Sequence, residues 1–254
     1  MITYEYPFNE RIRILLRLES LFDKIAHFSA PDGAAEHHVA LRTLFEILDV
    51  AGRSDLKMDM AQELERQRQI LLSYRHAPEI SDSALSGTLY EIEQASAALL
   101  DLHGKFGQSL RDNDWLMSVK GRAAIPGGLC EFDLPAFHYW LHQPPEFRRA
   151  ALAGWTKPML PVLEALSIIL RLLRSANSPE RLQAAQGQYQ RMLCGKGIVA
   201  QMARIRLPSE VNVVPEVSAN RFAFSIRFTH PPGTENRARL CEQNVDFDLT
   251  FCNL

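Results

Sequence analysis

Apolar and polar positions recur in two different rhythms along this chain. At the start, Ile2, Tyr4 and Tyr6 alternate with Thr3 and Glu5 until Pro7, which is the period of a strand. Asn9 is a good helix N-cap, and after it the period lengthens to that of a helix over about 10–28, with Ile12, Leu15, Leu16, Phe22 and Ile25 on one stripe. Arg13, Arg17, Ser20 and Lys24 form a second, basic stripe on the same segment, read either as a solvated face or as one wall of a groove. Helical patterns follow over about 35–50, from Ser54 to about His76, over 83–103 and over 109–122. They are separated by Pro31-Asp32-Gly33, Ala77-Pro78 and Gly104, and connections this short predict antiparallel neighbours in a bundle. A turn at Ala124-Ile125-Pro126-Gly127-Gly128, a brief strand over 129–133 and helices over 134–142, 145–154 and 158–176 complete this part. The 158–176 helix is apolar on most of its circumference, which predicts a central place in the bundle or burial against a second copy.

From about Asn177 to Ile198 the composition turns polar and reads as a linker. Strand patterns then occupy 202–207, 212–214, 221–228 and 245–251, punctuated by Pro208, Pro215 and Pro231-Pro232-Gly233. A lone N-terminal strand needs a partner, and the other strands lie in the last third, so the chain ends are expected to meet in one antiparallel sheet. The expected class is α+β: a mainly helical bundle domain over 8–180, expected to carry the dimer contact, and a smaller antiparallel β domain from 1–7 plus 195–254.

Within 221–228, alternation sends Phe222, Phe224, Ile226 and Phe228 to one face and Arg221, Ala223, Ser225 and Arg227 to the other. The two guanidinium groups then stand about 20 Å apart across a floor of small residues, at roughly 3.3 Å per residue. Such a floor suits an extended acidic peptide. The plainer alternative pairs both arginines with Asp246 and Asp248 on the 245–251 strand. From residue 199 onward the basic side chains are Arg204, Arg206, Arg221, Arg227, Arg237 and Arg239, with no lysine. Arginine offers a planar fork of donors for carboxylate or phosphate, where lysine serves mere solubility as well.

Composition narrows the partners. The 254 residues carry a net charge of −2, which argues against a general nucleic-acid binder, although a regulatory protein using the same arginine sheet on nucleic acid is the alternative reading. The N-terminus lacks a basic and apolar leader, and the most apolar run, Met159 to Leu173, is interrupted by Pro161, Glu164 and Arg171, so neither secretion nor a membrane span is expected. The four cysteines are scattered without CxxC spacing, as expected of reduced thiols in the cytoplasm. His138 and His142, four apart on a helix with Cys130 and Asp133 nearby, are a weak metal candidate beside Tyr139, Trp140 and Leu141, which read as packing. Neither a nucleophile elbow nor a phosphate loop is present, so neither an enzyme nor a cofactor is predicted.

Several segments resemble a known family. Asn9-Glu10-Arg11-Ile12-Arg13-Ile14-Leu15-Leu16-Arg17-Leu18-Glu19 is similar to the start of the ZapD family of bacterial cell-division proteins. Ile125-Pro126-Gly127-Gly128-Leu129-Cys130-Glu131-Phe132-Asp133-Leu134-Pro135, continuing through His138, Trp140, Leu141 and His142, resembles that family's most distinctive block. Leu48-Asp49-Val50, Ile226-Arg227-Phe228 and Val245-Asp246-Phe247-Asp248-Leu249 fit in the same order, so the resemblance covers essentially the whole chain. It implies a homodimer of helical and β domains, recruited to the midcell division ring. There it would bind the C-terminal tail of FtsZ, the tubulin-like ring protein, and cross-link filaments. It further implies that basic residues near the domain junction hold the tail, namely Arg13, Arg17 and Arg227, with Arg221 and Arg111 as further candidates. Where some relatives carry an arginine before the final strand, this chain has Asn244, with Arg237 or Arg239 as replacements.

Overall fold

The computed structural model describes residues 1–52, 55–75, 81–192, 200–220, 222–231 and 239–253. Arg221, Arg237, Cys194 and the expected helix limits at Ser54 and His76 lie outside the described residues. The architecture is α+β, with helices followed by antiparallel sheets that the N-terminal and C-terminal strands build together. Two compact units account for the chain: Met1–Arg13 with Arg171–Leu254, and Ile14–Leu170.

The second unit is helical. It contains most of α1 (Glu10–Ser29), then α2 (Ala34–Ala51), α3 (Leu56–Ser73), α4 (Asp82–Asp101), α5 (Gln108–Arg111), α6 (Asp114–Ala123), α7 (Pro135–Leu141), α8 (Pro145–Thr156) and most of α9 (Leu160–Ser175). Asn9 begins α1 as its pattern predicts, its Oδ1 accepting the Ile12 N–H at 2.9 Å. The single helix expected over 109–122 is two, because Asn113 caps a new start by accepting the Leu116 N–H at 3.0 Å. The strand expected over 129–133 is a run of turns, in which the Asp133 and Leu134 amides both donate to the Cys130 carbonyl. The helix pattern of α9 sorts more sharply than composition suggests. Val162, Ala165, Leu166, Ile169 and Leu170 are buried, and Glu164, Ser167 and Arg171 are exposed.

Packing in this unit centres on α2, which buries Leu41, Leu44, Phe45, Ile47 and Leu48, and on an aromatic group of Trp115, Phe137, Trp140 and Trp155. Buried Arg148 ties three elements together. Its Nε donates to His37 Nδ1 at 2.9 Å, its Nη1 to the Leu141 carbonyl at 2.9 Å and to that of Gln143, and its Nη2 to the Asp32 carbonyl at 2.5 Å. The accepting Nδ1 leaves the His37 proton on Nε2. The Leu141 and Gln143 carbonyls follow the end of α7, where oxygens otherwise lack partners.

The first unit is a pair of sheets rather than the single sheet expected. One runs β1 (Ile2–Pro7), β4 (Met202–Leu207), β8 (Val245–Cys252), β2 (Glu180–Ala184), so the chain ends do meet across β4. The other runs β3 (Gln188–Met192), β6 (Ala223–His230), β5 (Val214–Ala219), with β7 (Arg239–Leu240) also on β6. All pairings are antiparallel among the described residues. Inner faces meet in one core, where Ile205, Phe247 and Leu249 of the first sheet pack with Phe224, Ile226 and Phe228 of the second. The polar stretch read as a linker holds β2 and β3, one in each sheet and joined by a tight turn, while its residues 193–198 lie outside the described residues. Its turn uses Gln186 at φ 50° and Gly187 at φ 69°, the left-handed region, and a Cβ on Gly187 would lie 2.3 Å from the Cys241 carbonyl oxygen.

Candidate functional site

Strand alternation places Arg227 on the outer face of β6, where it is exposed. Ala223 and Ser225 share that face, flanked in register by Gln188, Gln190 and Met192 of β3 and by Ser218 and Glu216 of β5. Glu216 stands directly opposite Arg227, but its Oε1 accepts the Thr229 hydroxyl at 3.4 Å. Among the described residues the Arg227 side chain has no ion-pair partner. A guanidinium on a small, polar floor is arranged to receive a carboxylate through two parallel N–H donors.

Four other arginines of this unit differ, while Arg181 on β2 is exposed and, like Arg227, without an ion-pair partner among the described residues. Arg204 Nε lies 3.0 Å from Glu5 Oε1, and Arg174 grips the same carboxylate through Nε at 2.8 Å and Nη2 at 2.7 Å. Arg206 meets Asp248 at 3.0 Å across the β4–β8 ladder. Arg191 meets Glu180 at 2.5 Å, donates to the Tyr189 hydroxyl at 2.9 Å and lies 5.3 Å from the Phe251 ring centre. These hydrogen bonds and the adjacent charge hold the Glu180 carboxyl below its ordinary value. The expected basic sheet is thus largely neutralised from within. The alternative pairing of Arg227 with Asp246 or Asp248 is also overturned, because β8 belongs to the other sheet and Asp246 accepts from Gln183 at 2.8 Å.

Arg13 and Arg17 are exposed one turn apart on α1, on either side of the boundary between units, and Arg13 lies 3.5 Å from Glu10. Arg111, in the helical unit, is half-buried. Its Nη1 donates to the Phe106 carbonyl at 3.0 Å and its Nη2 to the Leu48 carbonyl at 2.9 Å, near the end of α2. Arg221 and Arg237 are outside the described residues, and Arg239 lies on β7. Asn244 has a structural use, with its Oδ1 accepting the Gln186 N–H at 3.1 Å in the turn between β2 and β3. Phe222, expected inward, is 52% exposed. The Asn220 side chain accepts the Phe222 and Ala223 amides at 2.8 and 2.9 Å, so the chain turns there and the strand's alternation begins one residue later.

Sequence reasoning passed over Arg148 and Glu5, whose roles depend on residues more than a hundred positions away. The imidazoles of His138 and His142 are adjacent, with ring centres 4.3 Å apart, and His142 Nδ1 is 2.8 Å from the His138 carbonyl. Asp133 lies 3.5 Å from Arg122. Among the described residues no group of three or more His, Cys, Asp or Glu side chains is placed to hold a metal ion, and no described helix is long and apolar enough to cross a membrane.

Together these features define an α+β protein with two compact units, in which the outer face of β6 carries Arg227, a guanidinium without an ion-pair partner among the described residues. The family model of ZapD, described as "Cell division protein", matches residues 16–227. A relative named "Cell division protein ZapD" from Dechloromonas aromatica (strain RCB) is 63% identical over 254 residues, 100% of both chains. One of the same name from Aromatoleum aromaticum (strain DSM 19018 / LMG 30748 / EbN1) is 59% identical, over 100% of this chain and 98% of the relative. Another, from Azoarcus sp. (strain BH72), is 56% identical over 100% of both. The chain belongs to the ZapD family of cell division proteins.

Proposed function

We propose that this protein binds the C-terminal tail of FtsZ without catalysis. As a cytoplasmic homodimer recruited to the midcell ring, it then cross-links FtsZ protofilaments and promotes ring assembly. The observation that carries this reading is the contrast between Arg227 and four other arginines of the β-rich unit. Arg174, Arg191, Arg204 and Arg206 meet carboxylates of their own chain, whereas Arg227 stands exposed beside Ser225 and Gln188 with no acid gripping it among the described residues. Such a group retains its full capacity for charge-assisted hydrogen bonds to an acidic, extended segment. Arg13, Arg17 and Arg221 are proposed as further contacts. Arg111 is the weakest of the proposed set, because two backbone carbonyls already occupy its donors.

Each site needs only modest affinity, because two tails held by one dimer raise each other's effective concentration. The test is a titration of a labelled FtsZ tail peptide against the parent protein and Arg227→Glu. Charge reversal should weaken binding about tenfold or more while the circular dichroism spectrum stays unchanged, and the parent's affinity should fall with added salt. Equal affinity of parent and variant would remove Arg227 from the site.

A further inference from the structure

The hydrogen-bond direction along β3 shows which main-chain groups of the second sheet are turned outward. Phe228 N–H donates to the Gly187 carbonyl at 2.8 Å. The ladder alternates, so the bonded pairs in this register are Gly187 with Phe228, Tyr189 with Ile226 and Arg191 with Phe224. The N–H and C=O groups of Gln190 and Met192 therefore point away from β6, along an edge of the sheet that no strand covers among the described residues. On the opposite edge, β5, the same alternation directs Pro215, Val217 and Ala219 outward.

The two edges differ in how they meet an incoming strand. β5 carries Pro215, which lacks the N–H at an outward position, and the acid Glu216 on its outer face. β3 has neither proline nor acid. Its outer face presents the neutral amides Gln188 and Gln190 beside Arg227, and Arg191 alternates with them. An extended segment with carboxylates is repelled at β5 and accommodated at β3.

We infer that the β3 edge is a strand-addition site, on which an extended acidic segment pairs through its backbone with Gln190 and Met192 while one of its carboxylates reaches Arg227. This rests on the tail-binding reading and specifies its mode: main-chain bonds supply affinity, and the guanidinium selects for acid. The geometry also accounts for a strand with so little apolar content. β3 contributes a half-buried Tyr189 inward and presents Gln188 and Gln190, with exposed Met192 at its end, on the other side.

Gln190→Pro tests it, compared with Gln190→Ala as control for the lost side chain, because residue 190 makes no ladder bond to β6, so proline there leaves the ladder to β6 in place while it removes an outward N–H and obstructs the edge. Ala219→Pro does the same on β5. With a fluorescent FtsZ tail peptide and anisotropy as readout, Gln190→Pro should weaken binding about tenfold, the effect of losing a main-chain bond and its geometry, and Ala219→Pro should leave it unchanged. If Arg227→Glu abolishes binding but Gln190→Pro does not, the tail is held by charge without strand pairing; the inference falls and the proposed function stands. Loss at Ala219→Pro alone moves the site to β5 and overturns the inference. A changed oligomeric state of Gln190→Pro with unchanged peptide affinity makes β3 a contact between copies, which also overturns it. If the parent binds no peptide at all, both readings fail. Should Gln190→Pro not fold, N-methylation of successive amides of the peptide is measured on the parent protein. Losses at alternate positions support strand addition, and losses without that period overturn it.

Discussion

Glu5 serves two guanidinium groups at once, and that arrangement shows how similar side chains acquire different roles. Its carboxylate is 16% exposed and holds Arg174 and Arg204, both themselves about one-quarter exposed, so these three charges form a closed cluster. Arg227 has the same chemistry and a different neighbourhood, which leaves it for a ligand. Arg148 is a third case: it is 5% exposed and satisfied by carbonyls and an imidazole rather than by an acid. Replacing it strands buried His37 Nδ1 and three part-buried carbonyls at once. Arg148→Met is expected to lower unfolding stability by roughly 3 kcal/mol in urea titration, the effect of leaving buried polar groups unpaired. A loss under about 1 kcal/mol would mean that water or a rearranged α7 end takes over. None of this was legible at residue level. Alternation along a strand tells which way Arg206 and Arg227 point. It does not tell that Asp248 pairs with one of them while, among the described residues, no acid pairs with the other.

Among the elements, β3 departs furthest from its sequence pattern. Gln188-Tyr189-Gln190-Arg191-Met192 lacks the apolar alternation of a half-buried strand, so it reads as linker. It is held instead by the ladder to β6 and by Arg191, which reaches Glu180 of β2, the Tyr189 hydroxyl and the face of Phe251. A pH dependence follows. The Glu180 carboxyl is held below its ordinary 4.5 in the folded protein, first by the Arg191 hydrogen bond. Its stabilising contribution is therefore complete above the unfolded value and disappears as pH falls through the depressed folded value. The side chain is more than half exposed, so the effect is small. Compared with Glu180→Gln, the parent should be the more stable at neutral pH, and the gap should close as pH drops below 4.5. Thermal midpoints of the two proteins across that range check it, and a gap that widens on acidification would reverse the assignment. The long helices were legible for the opposite reason: their apolar stripes and the cap Asn9 are local features, read from a few consecutive residues, whereas the cap at Asn113 was missed and the helix expected over 109–122 is two.

At the scale of the whole molecule, the proposed cross-linking depends on two copies acting together. An engineered monomer should bind one FtsZ tail peptide with the parent's affinity yet fail to bundle filaments in a sedimentation assay, because a single site joins nothing. Bundling by a verified monomer would exclude the two-site mechanism. For the dimer surface, the expectation that fell on the 158–176 helix loses its original basis, since α9 buries Val162, Ala165, Leu166, Ile169 and Leu170 within its own chain and turns Glu164, Ser167 and Arg171 outward. What the sequence alone determined was the class of fold, the helical and extended segments with strong periodicity, and the family, because each depends on residue order and short-range pattern. Only the tertiary structure decided that the strands form two sheets, that β8 and β6 belong to different ones, and that Arg227 rather than Arg204 or Arg206 stays unpaired among the described residues. Strand pairing and charge partnering join residues remote along the chain, and their choice is made by the shared core of Phe224, Ile226, Phe228 and Phe247, which the local pattern does not encode.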